Sequence, residues 1–219
     1  MRKDIIRSAR GILALTLVCG IIYPLVVTGV SQVAFPGNAN GQKVYVRGTL
    51  VGSESIGQQF TDQVVKNGKP QVDKNGKPVT TPDPRYFQTR PSATVPADNA
   101  AGTAFSNAGP NNIATEQAIA ANMQSYLSLE KPYDPGLTKA QIPVDAADTS
   151  ASGIDPDISP ANAEIQAHRV AAVRHLSLSK VMQLISQYTT ARSLGIFGEP
   201  GVNVLELNLA LGRLTGGRS

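Results

Sequence analysis

At 219 residues and 41% hydrophobic content, the chain is long enough for one domain with a real core plus an anchor, and too apolar for disorder. Twenty glycines and 15 prolines, with aromatics at 5% and no tryptophan, predict a loop-rich domain. The formal charge of +4 excludes rather than supports a nucleic-acid binder, because Arg2, Lys3, Arg7 and Arg10 against Asp4 place +3 of it in the first ten residues, beside an apolar run.

That run defines the first element. No charged residue occurs from Gly11 to Gln42, and Gly11 to Phe35 is strongly apolar. As a helix those 25 residues span roughly 37 Å, enough to cross a hydrocarbon core of about 30 Å with modest tilt. A cleaved leader has a shorter apolar stretch, and Gly37-Asn38-Ala39 is a weak cleavage site, so the segment reads as a retained anchor. The basic flank precedes it, which predicts a cytoplasmic stub over 1–10, a transmembrane helix over 11–35 and an extracytoplasmic domain over 36–219. Thr16, Gly20, Pro24 and Thr28 recur every four residues, a small-residue stripe on which another helix can approach closely. Pro24 offers no N–H to the carbonyl of Gly20, so a kink is expected there. The only cysteine, Cys19, lies within the run, leaving the domain no disulfide of its own.

Phe35-Pro36-Gly37-Asn38 ends the helix and begins a polar linker. Alternation over Lys43–Val51, with Val44 and Val46 against Tyr45 and Arg47, predicts a short strand, and Ser55–Phe60 a second short element. Lys66-Asn67-Gly68-Lys69-Pro70 returns as Lys74-Asn75-Gly76-Lys77-Pro78; its Asn-Gly pairs predict a solvent-exposed hairpin or loop insertion near 66–78. Asp98–Asn112 is a polar loop. A helix is expected over Ile113–Glu130, capped by Asn111 or Asn112 and stopped before Pro132. Ser159-Pro160 is the clearest helix start, with the helix running to about His175 or Leu176. Another begins near Ser177 and buries Val181, Leu184, Ile185 and Tyr188. Val202–Leu214 carries both a period-two leucine pattern and a helical one; it reads as a strand running into a helix. The fold class is α+β.

The chain carries no enzyme signature. His168 and His175, seven apart on one face of a predicted helix, are too widely spaced for a zinc pair, and Glu164 gives a single carboxylate–histidine pair. Neither a nucleophile elbow, nor a phosphate-binding loop, nor a cysteine outside the anchor is present. Asp155 and Asp157, among Gly153, Pro156 and Pro160, read as turn and capping residues. Residues 130–164 carry a net charge of −5, which reads as an ordinary solvated acidic loop ahead of a cation-concentrating surface. From the residues alone an anchored hydrolase or a membrane-anchored binding module remains an alternative.

Several blocks, taken in order, narrow that choice: the span ending near Phe35-Pro36; Gly52-Ser53 with Ile56-Gly57-Gln58; Tyr86-Phe87 with Arg90-Pro91-Ser92-Ala93; Ser106-Asn107 with Gly109-Pro110; and Val144-Asp145. The longest are Ser152-Gly153-Ile154-Asp155-Pro156 with Ile158-Ser159-Pro160, and Gly198-Glu199-Pro200 with Val202-Asn203-Val204-Leu205 and Leu207-Asn208-Leu209-Ala210-Leu211. In this pattern the chain resembles the C subunit (KdpC) family of the Kdp-type potassium-importing P-type ATPase over nearly its whole length. It departs from the family's pattern at Ala108, where Leu is usual, at Asp157 and Gly201, where His and Arg are frequent, and in the 66–78 repeat.

The resemblance implies an accessory, non-catalytic subunit of the bacterial plasma (inner) membrane, in a high-affinity complex that imports potassium at the expense of ATP. Its implied partners are a channel-like potassium-binding subunit, a P-type ATPase subunit and a small single-span subunit, with membrane lipid around the anchor. The complex, not this chain, handles ATP and potassium; no metal or catalytic residue is assigned to the chain. The family is described as a catalytic chaperone that raises ATP affinity through a glutamine in a nucleotide-binding-like motif, and Gln166 or Gln58 stands as the matching position. With residues 36–219 outside and ATP inside, the sequence favours an assembly and gating role at the outer mouth, transmitted through the stripe at Thr16, Gly20, Pro24 and Thr28.

Overall fold

The computed structural model describes residues 2–92, 94, 108, 109 and 111–214. Two compact units divide the chain, 1–53 and 54–219. Most of the polar loop anticipated at Asp98–Asn112, and the family-like residues Ala93, Ser106, Asn107 and Pro110, lie outside the described residues.

The first unit is a helix with a hairpin at its end. Helix α1 (Arg2–Leu17) passes through a π-helical turn (Val18–Ile22) into α2 (Tyr23–Ala34). Together they form one 33-residue helix, long and apolar enough to cross a membrane and with none of its apolar window buried. The irregularity expected at Pro24 takes the form of this wide turn. Pro24 cannot donate to Gly20, and the preceding Tyr23 N–H reaches back five residues to the Val18 carbonyl. The helix then breaks at Phe35, but no free linker follows: α3 (Pro36–Ala39) adds a helical turn. The single strand anticipated over Lys43–Val51 is instead a hairpin, β1 (Lys43–Val46) against β2 (Thr49–Ser53). Arg47 and Gly48 turn it with φ of 50° and 83°, the left-handed pair of a two-residue hairpin loop. Arg is not among the residues that advertise such a turn, so the sequence read through it.

In the second unit, Ser55–Phe60 yields only a one-residue bridge at Ile56. A ladder of short strands follows: β3 (Thr61–Gln63) pairs with β6 (Thr80–Pro82), and inside it β4 (Val65–Lys66) pairs with β5 (Lys69–Pro70). Each copy of the repeat makes its own turn. Asn67-Gly68 closes β4–β5 with φ of 52° and 73°, while around Asn75-Gly76 the Asp73 carboxylate accepts the N–H groups of Asn75 and Lys77.

The core is built by α6 (Pro160–Val173), α7 (Leu178–Gln187) and α8 (Val204–Leu214) with a three-stranded antiparallel sheet in the order β7 (Asp157–Ile158), β9 (Gly201–Asn203), β8 (Thr189–Thr190). Ala163, Ala167 and Val170 of α6 are fully buried beside Val181 of α7 and Leu207 and Leu211 of α8, with Phe87 inserted among them. The small alanines of α6 let the helices approach closely, and α6 and α7 pack against each other. Helix α4 (Ile113–Glu130), capped by the Asn112 side chain, and the short α5 (Val144–Ala147) complete the unit.

Helix α6 ends at Val173, short of His175. His175 has a φ of 55° and its N–H meets the Ala172 carbonyl, while Leu176 N–H reaches Ala171. This is a left-handed helix terminus of the kind usually made by glycine. His168 and His175 therefore do not share a helical face.

Candidate functional site

The polar residues of the second unit converge on one buried stretch of backbone. Residues 84–88 belong to no strand, yet Phe87 is wholly buried, so its backbone needs partners from elsewhere. Side chains supply them from two helices. From α8, Asn208 accepts the Phe87 N–H at 2.9 Å and donates to the Phe87 carbonyl at 2.9 Å. From α6, Gln166 does the same for Gln88, accepting its N–H at 2.7 Å and donating to its carbonyl at 3.1 Å. Both amides act as one rung of a missing strand.

Arg169 extends the clamp. Fully buried, it donates from one terminal nitrogen to the carbonyls of Pro84 at 2.7 Å and Tyr86 at 2.8 Å, and from the other to Gln166 Oε1 at 3.0 Å. Its Nε lies 3.0 Å from both carboxylate oxygens of Glu130, the last residue of α4. Only a planar guanidinium serves so many acceptors at once. Next to it, Asn162 accepts from Tyr126 at 2.8 Å and from Gln166 at 2.9 Å, and donates to Asp145 at 2.9 Å. Asp145 also takes the N–H and hydroxyl of Ser159, the α6 cap.

Burial sets the electrostatics. It pushes the Glu130 carboxyl up to about 7, against the attraction and hydrogen bonding of Arg169. Burial, then the neighbouring Glu130 charge, raises the Tyr126 phenol. Asp83 is buried too, but side-chain and backbone hydrogen bonds from Arg85, with the charges of Arg85 and Arg174, outweigh burial and hold its carboxyl low. At the sheet edge, burial first and the Asp155 charge second raise Asp157. The pair reads as turn chemistry: Asp155 accepts the Asp157 N–H at 3.1 Å and pairs with Arg90 at 3.0 Å. The acidic stretch 130–164 is only in part solvated: Glu130, Asp145 and Asp155 are engaged in the fold, while Glu164 is exposed. Among the described residues, no group of three or more His, Cys, Asp or Glu is arranged to hold a metal.

Of the two glutamines, Gln166 is 1% exposed with all four of its partners inside the protein. Gln58 is half-buried, next to Gly57, whose N–H donates to the Ile154 carbonyl at 2.7 Å. The structure does not bring them together in one constellation. Sequence reasoning missed Arg169, Glu130 and Asn208 as the clamp; the one available signal was a polar residue on an otherwise apolar helical face.

The other candidate is the stripe. Thr16, Gly20, Pro24 and Thr28 are all exposed. In an unbroken α-helix their 12-residue span overshoots three full turns by about 120°. The π-helical turn takes more residues per turn and absorbs part of that drift, so the row runs straighter along the helix. A Cβ at Gly20 would find only Thr16 Cγ2, at 3.9 Å.

Together these features define a class: an apolar helix fit to span a membrane, carrying an α+β domain whose buried polar groups hold its own backbone. The family model described as K+-transporting ATPase, c chain (KdpC) matches residues 5–213. Relatives named potassium-transporting ATPase KdpC subunit match along nearly their full length. The one from Methylococcus capsulatus is 45% identical over 93% of this chain and 94% of its own. That from Ralstonia nicotianae is 45% identical over 91% and 86%, and that from Herpetosiphon aurantiacus 43% over 98% of both. The chain belongs to the KdpC family.

Proposed function

We propose that this chain is the accessory, non-catalytic subunit of an ATP-driven potassium importer in the bacterial inner membrane. Its basic stub is cytoplasmic and residues 36–219 lie outside. It assembles and stabilises the channel-like and P-type ATPase subunits, with the small single-span subunit beside them. The observation that carries this reading is the family match from residue 5 to residue 213, which takes in span and domain as one unit. The exposed stripe at Thr16, Gly20, Pro24 and Thr28 supplies the surface on which a partner helix packs.

A rise in the ATP affinity of the ATPase subunit, the property associated with the family, then reaches it as coupling between conformational states and not as nucleotide contact. Two observations support this: the basic residues precede the span, a pattern that by the positive-inside rule favours a domain away from cytosolic ATP, and Gln166 is closed off by its own partners. Gln166 is a structural latch in this reading.

Co-purification in mild detergent tests it. The tagged full-length chain should bring down the channel-like and ATPase subunits; a chain that emerges alone overturns the proposal. Nucleotide crosslinking to the domain in sealed right-side-out vesicles, without external ATP, would count against the coupling route.

A further inference from the structure

The hairpin that follows the span has a shape and composition that the assembly role leaves unused. It is fixed to the helix end by a closed set of hydrogen bonds. Asn40 Nδ2 donates to Gln32 Oε1 at 3.0 Å, Gln32 Nε2 returns to Asn40 Oδ1 at 3.4 Å, and Asn40 Nδ2 also meets the Pro36 carbonyl at 2.7 Å. Gln42 N–H donates to the Gly37 carbonyl at 2.9 Å. At the far end of β2, the Ser53 hydroxyl donates to the Gly41 carbonyl at 2.7 Å, so both strands are tied to the same joint. Helix α3 advances the chain by only about 6 Å. The headgroup layer on each side of a bilayer is roughly 5–8 Å thick, so β1 begins within its reach.

What the hairpin presents there is amphipathic. Tyr45 and Leu50 are cross-strand neighbours, 58% and 53% exposed. Lys43 lies two residues from Tyr45 and so shares its face. Arg47 stands at the tip in a left-handed conformation that an asparagine or glycine would adopt at less cost. An aromatic, an aliphatic and two cations on a ribbon joined to a membrane span match the chemistry of the bilayer interface, where tyrosine sits at headgroup level and basic side chains reach phosphate.

We propose that the β1–β2 hairpin is an interfacial foot, lying in the headgroup layer with Tyr45 and Leu50 toward the acyl boundary and with Lys43 and Arg47 on anionic lipid phosphates. The inference rests on the reading of α1–α2 as a membrane span. It adds a second, orienting contact that fixes the tilt and rotation of that span, as interfacial anchors do.

The chain has no tryptophan, so a single substitution makes a clean probe. Tyr45→Trp is introduced into the full chain, which is reconstituted into vesicles of phosphatidylcholine and phosphatidylglycerol with brominated acyl chains. Its emission should be blue-shifted and quenched more by bromines near the interface than by deep ones. Adding Arg47→Asn keeps a residue suited to the turn and removes the charge. It should lower the docked-to-undocked ratio about fivefold in anionic vesicles, the effect of one basic residue at such a surface, and leave it unchanged in phosphatidylcholine alone. Val26→Trp, near the middle of the apolar run Gly11–Phe35, is the control and should be quenched by deep bromines. Water-like, unquenched emission from Tyr45→Trp beside a quenched Val26→Trp overturns the foot and leaves the span standing. Emission that is blue-shifted but unquenched also overturns it, in favour of a protein surface covering the hairpin. If neither probe is quenched, the span reading fails and the foot with it.

Discussion

Replacing Gln166 by alanine separates a latch from a nucleotide ligand. The substitution strips the half-buried Gln88 N–H of its acceptor at 2.7 Å and one Arg169 N–H, in the interior, of its acceptor at 3.0 Å. The Gln88 carbonyl and Asn162 Oδ1 each lose a donor, although Asn162 keeps Tyr126. An orphaned buried donor costs about 1–3 kcal/mol, so one buried and one half-buried donor cost about 2–4 kcal/mol together. For a chain of this size that lowers the melting temperature by roughly 4–16 °C. Gln58→Ala, at a half-buried position, should stay within about 0.5 kcal/mol of wild type. Thermal unfolding of the full chain in detergent, followed by circular dichroism, reads both. A Gln166→Ala protein that melts with the wild type while the assembled pump loses ATP affinity would refute the latch.

Three further outcomes follow from the same geometry. Glu130 has a raised folded-state carboxyl, from 4.5 to about 7, because burial disfavours its charge. Between those values the folded state holds a proton that the unfolded state has released, so stability falls as pH rises through the window, by at most about 1.4 kcal/mol per unit, and levels off above it. Urea titrations from pH 5 to pH 8 should show this slope in the wild type and lose it in Glu130→Gln. A Cβ added at Gly20 meets nothing nearer than Thr16 Cγ2 at 3.9 Å; with Gly20→Leu, helicity should be unchanged while recovery of partner subunits in mild detergent drops. Gly201→Arg places a cation beside Asp157, whose carboxyl lies about 3.4 Å from where a Cβ at 201 would stand. It should stabilise the chain at neutral pH by about 0.2–1 kcal/mol, the worth of an exposed pair, and the gain should vanish on acidification in chemical denaturation.

What the sequence disclosed was what local chemistry writes down. Asn112, Ser159 and Ser177 each accept a backbone N–H at the start of a helix, and a capping oxygen before an apolar period is visible without any tertiary knowledge. The strand running into a helix expected over Val202–Leu214, where two periods overlap, is found as β9 and α8. Where turn chemistry departs from habit, the reading slipped. Arg47 and His175 occupy left-handed positions that Asn or Gly usually mark. The clamp was hidden for a different cause: Asn208 and Phe87 are 121 residues apart in the chain, and nothing local to either announces the other.

The clamp also changes how the family-like blocks should be read. A buried strand-like segment without a strand partner must still satisfy its N–H and carbonyl groups, and amides on flanking helices are among the few side chains that offer a donor and an acceptor at one site. Gln166 and Asn208 meet that need on opposite sides of residues 87–88, and Arg169 meets it for Pro84 and Tyr86. Their residue types follow from the backbone they serve, with no ligand required. Chemistry directed outward then belongs to surfaces that this fold leaves uncommitted, and two of these lie in the first 53 residues: the small-residue row on the span and the basic, aromatic hairpin behind it. An influence on ATP binding that begins there need only shift the balance between two packings of partner helices, a coupling typically worth about 1–3 kcal/mol and felt equally from either end. Bound ATP should therefore strengthen retention of this subunit to the same degree, a reciprocity that pull-downs with and without nucleotide can measure.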